Sequence, residues 1–133
     1  MIVIDANLVL YRHLKGPLTT LAEAALTKDP DWRTSSLWRC EFTSALVKMI
    51  RAKVLGEADG LAAMDSATTE MGPRELDVPQ AQALRAALAY GISAYDAQYV
   101  ALAEMLGLRC VTADAALARK TPAVTVLLAD FVR

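Results

Sequence analysis

Ile2-Val3-Ile4-Asp5-Ala6-Asn7 opens the chain behind Met1. Consecutive β-branched residues ending at a polar turn read as a buried strand, because a strand covered on both faces is apolar at successive positions rather than alternate ones. The strand therefore stops at Asp5 and belongs to the core. A short helix over Leu8 to about His13 follows, and Gly16-Pro17 separates it from a second helix over Leu18 to about Thr27.

Beyond the Asp29-Pro30-Asp31 turn, Trp32 to Ser35 reads as a second strand. Phe42, Ala45, Leu46, Met49 and Ile50 then recur at helical spacing up to Gly56, which puts Glu41 in the first turns of an amphipathic helix. Glu57 to Met71 is another helix, closed by Gly72-Pro73, and Glu75 to Val78 is a brief strand. Pro79 suits the first position of a helix running to Tyr90, with Gly91 as its stop. From Ser93, Tyr95, Tyr99, Leu102 and Leu106 mark the packing stripe of a further helix ended by Gly107. Leu108 to Thr112 is a fourth strand leading to Asp114, and a short helix around Ala115 to Arg119 precedes the last strand, Val124 to Leu128. Strands alternating with helices predict an α/β fold with a parallel sheet covered by helices.

A length of 133 residues suits a single domain spanning 1–133, and 55% apolar with 22% charged residues suffices for a continuous core. The longest stretch free of charge, Ala86 to Tyr95, is far shorter than the roughly 20 residues of a membrane helix. The start lacks the basic and extended apolar regions of a signal peptide, so a cytoplasmic protein with no membrane partner is expected. Cys40 and Cys110 belong to no metal-ligand pattern and read as reduced structural thiols. A net charge of −1 provides no global attraction to a polyanion. Nucleic acid would have to be held by a local patch or by bound cations.

Ligands of open α/β sheets bind beyond the carboxyl ends of the strands, which selects four acids: Asp5, Glu41, Asp96 and Asp114. Each alone has a structural reading. Asp5 with Asn7 fits a strand-end turn, Glu41 a solvated first-turn residue, Ser93 with Asp96 a capping box, and Asp114 a helix N-cap.

Taken together, these segments resemble the PIN-domain nucleases, and more narrowly the VapC toxins of bacterial toxin–antitoxin pairs. The family's opening strand with D-x-[NS] is similar to Ile2-Val3-Ile4-Asp5-Ala6-Asn7, and its helical glutamate to Glu41 in Cys40-Glu41-Phe42-Thr43-Ser44-Ala45-Leu46. Its third acid is similar to Asp96 in the stretch from Ser93 to Glu104, and its fourth to Asp114 in Val111-Thr112-Ala113-Asp114. The resemblance implies a PIN-like three-layer α/β/α fold with a central, mostly parallel sheet of four to five short strands. It implies an endoribonuclease and toxin with Asp5, Glu41, Asp96 and Asp114 as catalytic, metal-binding residues. It further implies an RNA substrate, a homodimer and a cognate antitoxin; the apolar runs Leu61 to Ala67 and Ala81 to Leu88 are compatible with partner helices.

Clustered carboxylates repel by about 4 kcal/mol per pair at 4 Å near a protein surface, and Mg²⁺ or Mn²⁺, which prefer oxygen ligands, would relieve that repulsion. Asn7, Thr112 and Ser93 are candidates to support the acids, and Arg12, Lys15 and Arg39 to touch phosphate. His13 has no evident partner and reads as a surface residue, while Trp32 and Trp38 read as core. Two rival readings stay open: a non-catalytic PIN-like binding subunit, and a phosphatase using Asp5 as nucleophile.

Overall fold

The computed structural model describes residues 1–133. Five strands, β1 (Ile2–Ile4), β2 (Trp32–Ser35), β3 (Glu75–Leu76), β4 (Cys110–Thr112) and β5 (Thr125–Leu127), form one sheet in the order β3-β2-β1-β4-β5. Every pairing is parallel. The sheet expected from sequence as mostly parallel is wholly so.

The helices are α1 (Ala6–His13), α2 (Thr19–Lys28), α3 (Trp38–Arg51), α4 (Glu57–Met71), α5 (Gln80–Tyr90), α6 (Ala94–Leu106), α7 (Ala115–Lys120) and a single turn, α8 (Leu128–Phe131). They lie on both sides of the sheet, α6 packing on β1, β2 and β4 with α5 against it, and α8 packing on β4 and β5. β1 is buried throughout, as its apolar run requires. Trp38, Phe42 and Leu46 form the inner stripe of α3, and Ala97, Val100 and Ala101 belong to the buried side of α6. Gly91 and Gly107 end α5 and α6 in the left-handed region, with φ of 64° and 65°, a conformation that penalises a side chain.

Several boundaries differ from the sequence reading. β3 covers two residues where a strand to Val78 was expected, and α3 ends at Arg51 rather than near Gly56. The strand over Leu108–Thr112 begins at Cys110, and the last strand stops at Leu127 because the chain turns directly into α8. No helix is long and apolar enough to cross a membrane.

Strand order places the site. From β1 the chain moves outward through β2 to β3, then returns across the sheet to β4 beside β1 and continues to β5. The direction of winding therefore reverses between β1 and β4, and the crevice of such a sheet opens at the carboxyl ends of the strands flanking that reversal. Asp5 and Thr112 sit there.

Candidate active site

A cleft of about 460 Å³ opens at this edge, lined by the β1–α1 junction, one side of α3 and the first turns of α6. Asp5, Glu41 and Asp96 all line it. Of the four acids expected to meet, these three line one cleft. Asp114 is exposed and does not line the cleft, although its charge bears on Asp96.

Asp5 is only 7% exposed and serves as N-cap of α1. Its Oδ1 accepts from the Asn7 and Leu8 amides at 3.1 and 3.2 Å, while Oδ2 accepts from Thr112 Oγ1 at 2.7 Å. Burial nevertheless pushes its pKa up to about 6, with the charge of Glu41 adding to the rise and these hydrogen bonds opposing it. The structural and functional readings of Asp5 thus hold at once. Thr112 is fully buried, and its Oγ1 also accepts from the Asp114 amide at 3.0 Å, so one hydroxyl fixes both strand ends.

Glu41 lies on the cleft side of α3, and its Oε1 accepts a 2.5 Å hydrogen bond from the hydroxyl of Tyr99. Burial raises its pKa, the Tyr99 bond lowers it and the charge of Asp96 raises it. Tyr99 is 2% exposed, and its own pKa is driven far upward, first by burial and then by Glu41. It therefore remains a donor. Nothing in the sequence marks this pairing, which joins α3 and α6 across the cleft.

Asp96 stands in the first turn of α6, whose N-cap Ser93 accepts from the Asp96 amide at 3.0 Å. Half of the expected capping box forms, and the Asp96 carboxylate lines the cleft instead of closing the other half. Its pKa is raised by burial and by Asp114, against lowering by Ser93 and Lys120. Asp114 caps α7, its Oδ1 accepting from the Ala116 and Leu117 amides at 2.9 and 3.1 Å.

The donor set in the cleft is carboxylate oxygen throughout, and neighbouring acids raise one another's proton affinity in a chain from Asp114 to Asp96 to Glu41 to Asp5. That chemistry fits a hard divalent cation. As placed, however, no three of the acidic, histidine and cysteine side chains converge closely enough to hold an ion. Asp5, Glu41 and Asp114 each accept hydrogen bonds from protein donors.

Asn7 is exposed and lines the cleft. The proposed phosphate contacts fare differently from one another. Arg12 is paired with Glu23 at 2.6 Å and lies 3.6 Å from Glu70. Arg39 is held by both carboxylate oxygens of Glu75 at 2.8 to 3.1 Å. Lys15 is exposed and enters none of the ion pairs. Two cations the sequence did not single out are better placed: Lys48 lines the cleft, and Lys120, which donates to the Gly91 carbonyl at 3.3 Å, acts on Asp96. Helical spacing offered a signal for Lys48, seven residues after Glu41 on the same helix.

Three other expectations need correction. The His13 side chain is 6% exposed rather than on the surface, its Nε2 lying 3.1 Å from Glu70 and its Nδ1 3.3 Å from Ser66 Oγ; Phe42 stands edge-on beside it. Tyr95 is not part of a packing stripe, being 64% exposed at the cleft, because it falls one residue before Asp96 and off the buried side of α6. Cys40 is exposed and lines the cleft, whereas Cys110 is a buried thiol as expected. Trp32 and Trp38 are core residues.

Comparison with known proteins agrees with this architecture. A family model described as the PIN domain matches residues 2–121. The chain is 28% identical to ribonuclease VapC3 of Pyrobaculum aerophilum over 127 residues, covering 92% of this chain and 96% of that protein. The crystal structure of PAE2754 from Pyrobaculum aerophilum superposes with a TM-score of 0.77 at 23% identity, covering 98% of this chain and 92% of the other. FitAcB from Neisseria gonorrhoeae superposes with a TM-score of 0.68 at 19% identity, covering 94% and 96%.

Proposed function

Because the chain belongs to the PIN-domain family, we propose that it is an Mg²⁺- or Mn²⁺-dependent endoribonuclease and the toxin of a toxin–antitoxin pair. The observation that carries the reading is the meeting of Asp5, Glu41 and Asp96 in one cleft at the sheet's reversal point. Likeness to a ribonuclease of the VapC group over nearly the whole chain supports the choice of RNA.

In this reading Asp5 and Asp96 would hold the cation, with Asp114 acting on it from the rim, and Glu41 would serve as the proton acceptor. When bound, such a cation lowers the pKa of a water and offsets negative charge on the phosphate. The protein's own part is positioning and proton transfer. Thr112 and two backbone amides fix Asp5, the Tyr99 hydroxyl fixes Glu41 through Oε1, and Glu41 Oε2 is left to accept the proton of an attacking water. A carboxylate whose proton affinity is raised by burial is a better base for that step than one in bulk water. The water oxygen bonds to phosphorus, the bond from phosphorus to the 3′ oxygen breaks, and a proton returns to that oxygen. Products carry a 5′-phosphate and a 3′-hydroxyl, since the substrate's 2′-hydroxyl takes no part.

The decisive experiment compares wild type with Asp5→Ala and Asp96→Ala on cellular RNA, with MgCl₂ and with chelator, mapping the cut ends. Metal-dependent cuts made only by wild type support the reading. Equal cleavage by all three proteins, or 2′,3′-cyclic phosphate ends, would refute it. The separate hydrogen-bond partners of the acids also suit a non-catalytic binding subunit, which would neither bind the cation tightly nor cut. We further read the exposed Leu84 and Leu88 of α5 as part of a homodimer face, which light scattering of wild type and Leu88→Glu tests.

A further inference from the structure

The carboxylates explain how the cleft would cut, but they repel the substrate it would have to hold. The net charge of −1 adds no attraction, and Arg12 and Arg39 are occupied by carboxylates. Other residues must grip the strand.

Five residues of α3, Cys40, Glu41, Ser44, Ala45 and Lys48, line the cleft together with its N-cap Leu37, at the spacing of a single helical stripe. Lys48 lies at its far end, exposed and outside every ion pair of the chain. Seven residues of helix rise place it roughly 10 Å along the axis from Glu41, within reach of a neighbouring phosphate of the same strand. From α6, Tyr95 lines the same cleft beside Asp96 while leaving 64% of its surface in water. Its neighbour one turn on, Tyr99, is buried and bonded to Glu41. An aromatic ring left wet against a cleft full of acids contributes little to folding, yet it offers a face on which a base can stack.

We propose that Tyr95 and Lys48 are the substrate-gripping pair: an unpaired base next to the cut stacks on the Tyr95 ring, and a phosphate farther along the same strand rests on Lys48 Nζ. The inference rests on the nuclease reading and adds the residues that hold the strand. A base can lie on Tyr95 only after leaving its helix, so the strand is single at the cut. Neither contact reads a base edge, so the pair confers affinity and strandedness without base identity.

The test measures binding by fluorescence anisotropy in a Glu41→Gln background with MgCl₂, and cleavage of the same short RNA by proteins carrying wild-type Glu41. Tyr95→Ala is expected to raise Kd and KM by about tenfold, KM rising more than kcat falls, and Tyr95→Phe to restore both. Lys48→Gln is expected to reduce the slope of log Kd against log salt by about 0.7. An abasic nucleotide at the stacked position weakens wild type as Tyr95→Ala does and adds nothing to that variant. A complementary strand annealed across the site blocks binding. Both side chains are exposed, so melting curves of the variants should match wild type. If wild type cuts RNA while Tyr95→Ala keeps its Kd and KM, or if duplex is cut as fast as single strand, the proposal fails and the nuclease reading stands. A Tyr95→Ala change that leaves RNA binding intact but releases a protein inhibitor assigns the wall to that inhibitor and equally overturns it. If wild type neither binds nor cuts RNA, the nuclease reading falls first and the proposal with it.

Discussion

Asp5 and Asp114 stand at the carboxyl ends of adjacent strands and are held by amides two and three residues downstream. Glu41 and Asp96 ride on helices; Glu41 is held by Tyr99, 58 residues away, and Asp96 is tuned by charges on a separate element, Asp114 and Lys120. The first pair is capped locally and joined by the single hydroxyl of Thr112, whereas the reactivity of the second answers to groups on other elements. Position and reactivity are therefore controlled separately, and substitutions can move one without the other.

The strongest way to break the comparison is to delete the acids. Asp5→Ala, Glu41→Ala and Asp96→Ala should each lower RNA cleavage by more than the ~10–100-fold typical of losing an outer partner. Asp114→Asn should stay within that range, because Asp114 lies outside the cleft lining and asparagine keeps the α7 cap. An Asp114→Asn loss as deep as that of Asp5→Ala, in initial rates at saturating Mg²⁺, would erase the distinction between floor and rim.

Next in size is the pH dependence of stability set by Asp5. Its pKa, pushed by burial up to about 6, exceeds the 3.8 of an exposed aspartate, so the folded form binds the proton more tightly than the unfolded chain does. The stabilisation from that proton is complete below pH ~4 and is lost as pH rises through about 6. About two pH units of difference correspond to about 3 kcal/mol. Asp5→Asn cannot ionise and retains the acceptor for the α1 cap, so with chelator present it should be more stable than wild type by up to that amount at pH 8. The two should converge near pH 4 in urea titrations. Parallel curves at both pH values would mean that Asp5 titrates normally.

How far the sequence disclosed this site follows the same division. Asp5 and Asp114 were legible because a β-branched run ending in an acid is itself a strand end, and their capping roles follow from residues two or three positions away. α4 was legible to the residue, bounded by Gly56 and by Gly72-Pro73. The Tyr99–Glu41 bond was invisible, since no local pattern records which face of α6 meets α3. His13 reads as isolated in sequence because Glu70 and Ser66 belong to α4, and Tyr95 reads as packing because its spacing matches that of Tyr99. The end of β3 and the whole of α8 escaped for a different reason: two residues of strand and one turn of helix are too short to establish any period.

A finer contrast lies between the donors that hold one acid from each pair. Thr112→Val leaves the Asp5 Oδ2 and the Asp114 amide without their shared partner at a fully buried position, which should cost about 2 kcal/mol. It also removes an interaction that lowers the Asp5 pKa, so the loss should deepen as pH rises. Tyr99→Phe removes one donor from a half-buried carboxylate that water can reach, and about 1 kcal/mol is expected. Melts of both variants at pH 5 and pH 8 test the ranking. An equal cost would show that burial, rather than the number of groups served, sets the value of each hydroxyl.

The smallest effect belongs to Ser93, whose hydroxyl caps α6 by accepting from the Asp96 amide. Ser93→Ala should cost about 1 kcal/mol, and Ser93→Asn should recover nearly all of it. Cleavage carries the more telling signal. The Asp96 carboxylate reaches the cleft because it does not close the reciprocal half of the capping box, and its pKa is lowered by Ser93 against the rise from burial and Asp114. Removing the hydroxyl should therefore raise the Asp96 pKa further, and the acidic limb of the cleavage profile should move to higher pH in Ser93→Ala while remaining near its original place in Ser93→Asn. A stability loss without movement of that limb would confine Ser93 to capping and leave the tuning of Asp96 to Asp114 and Lys120 alone.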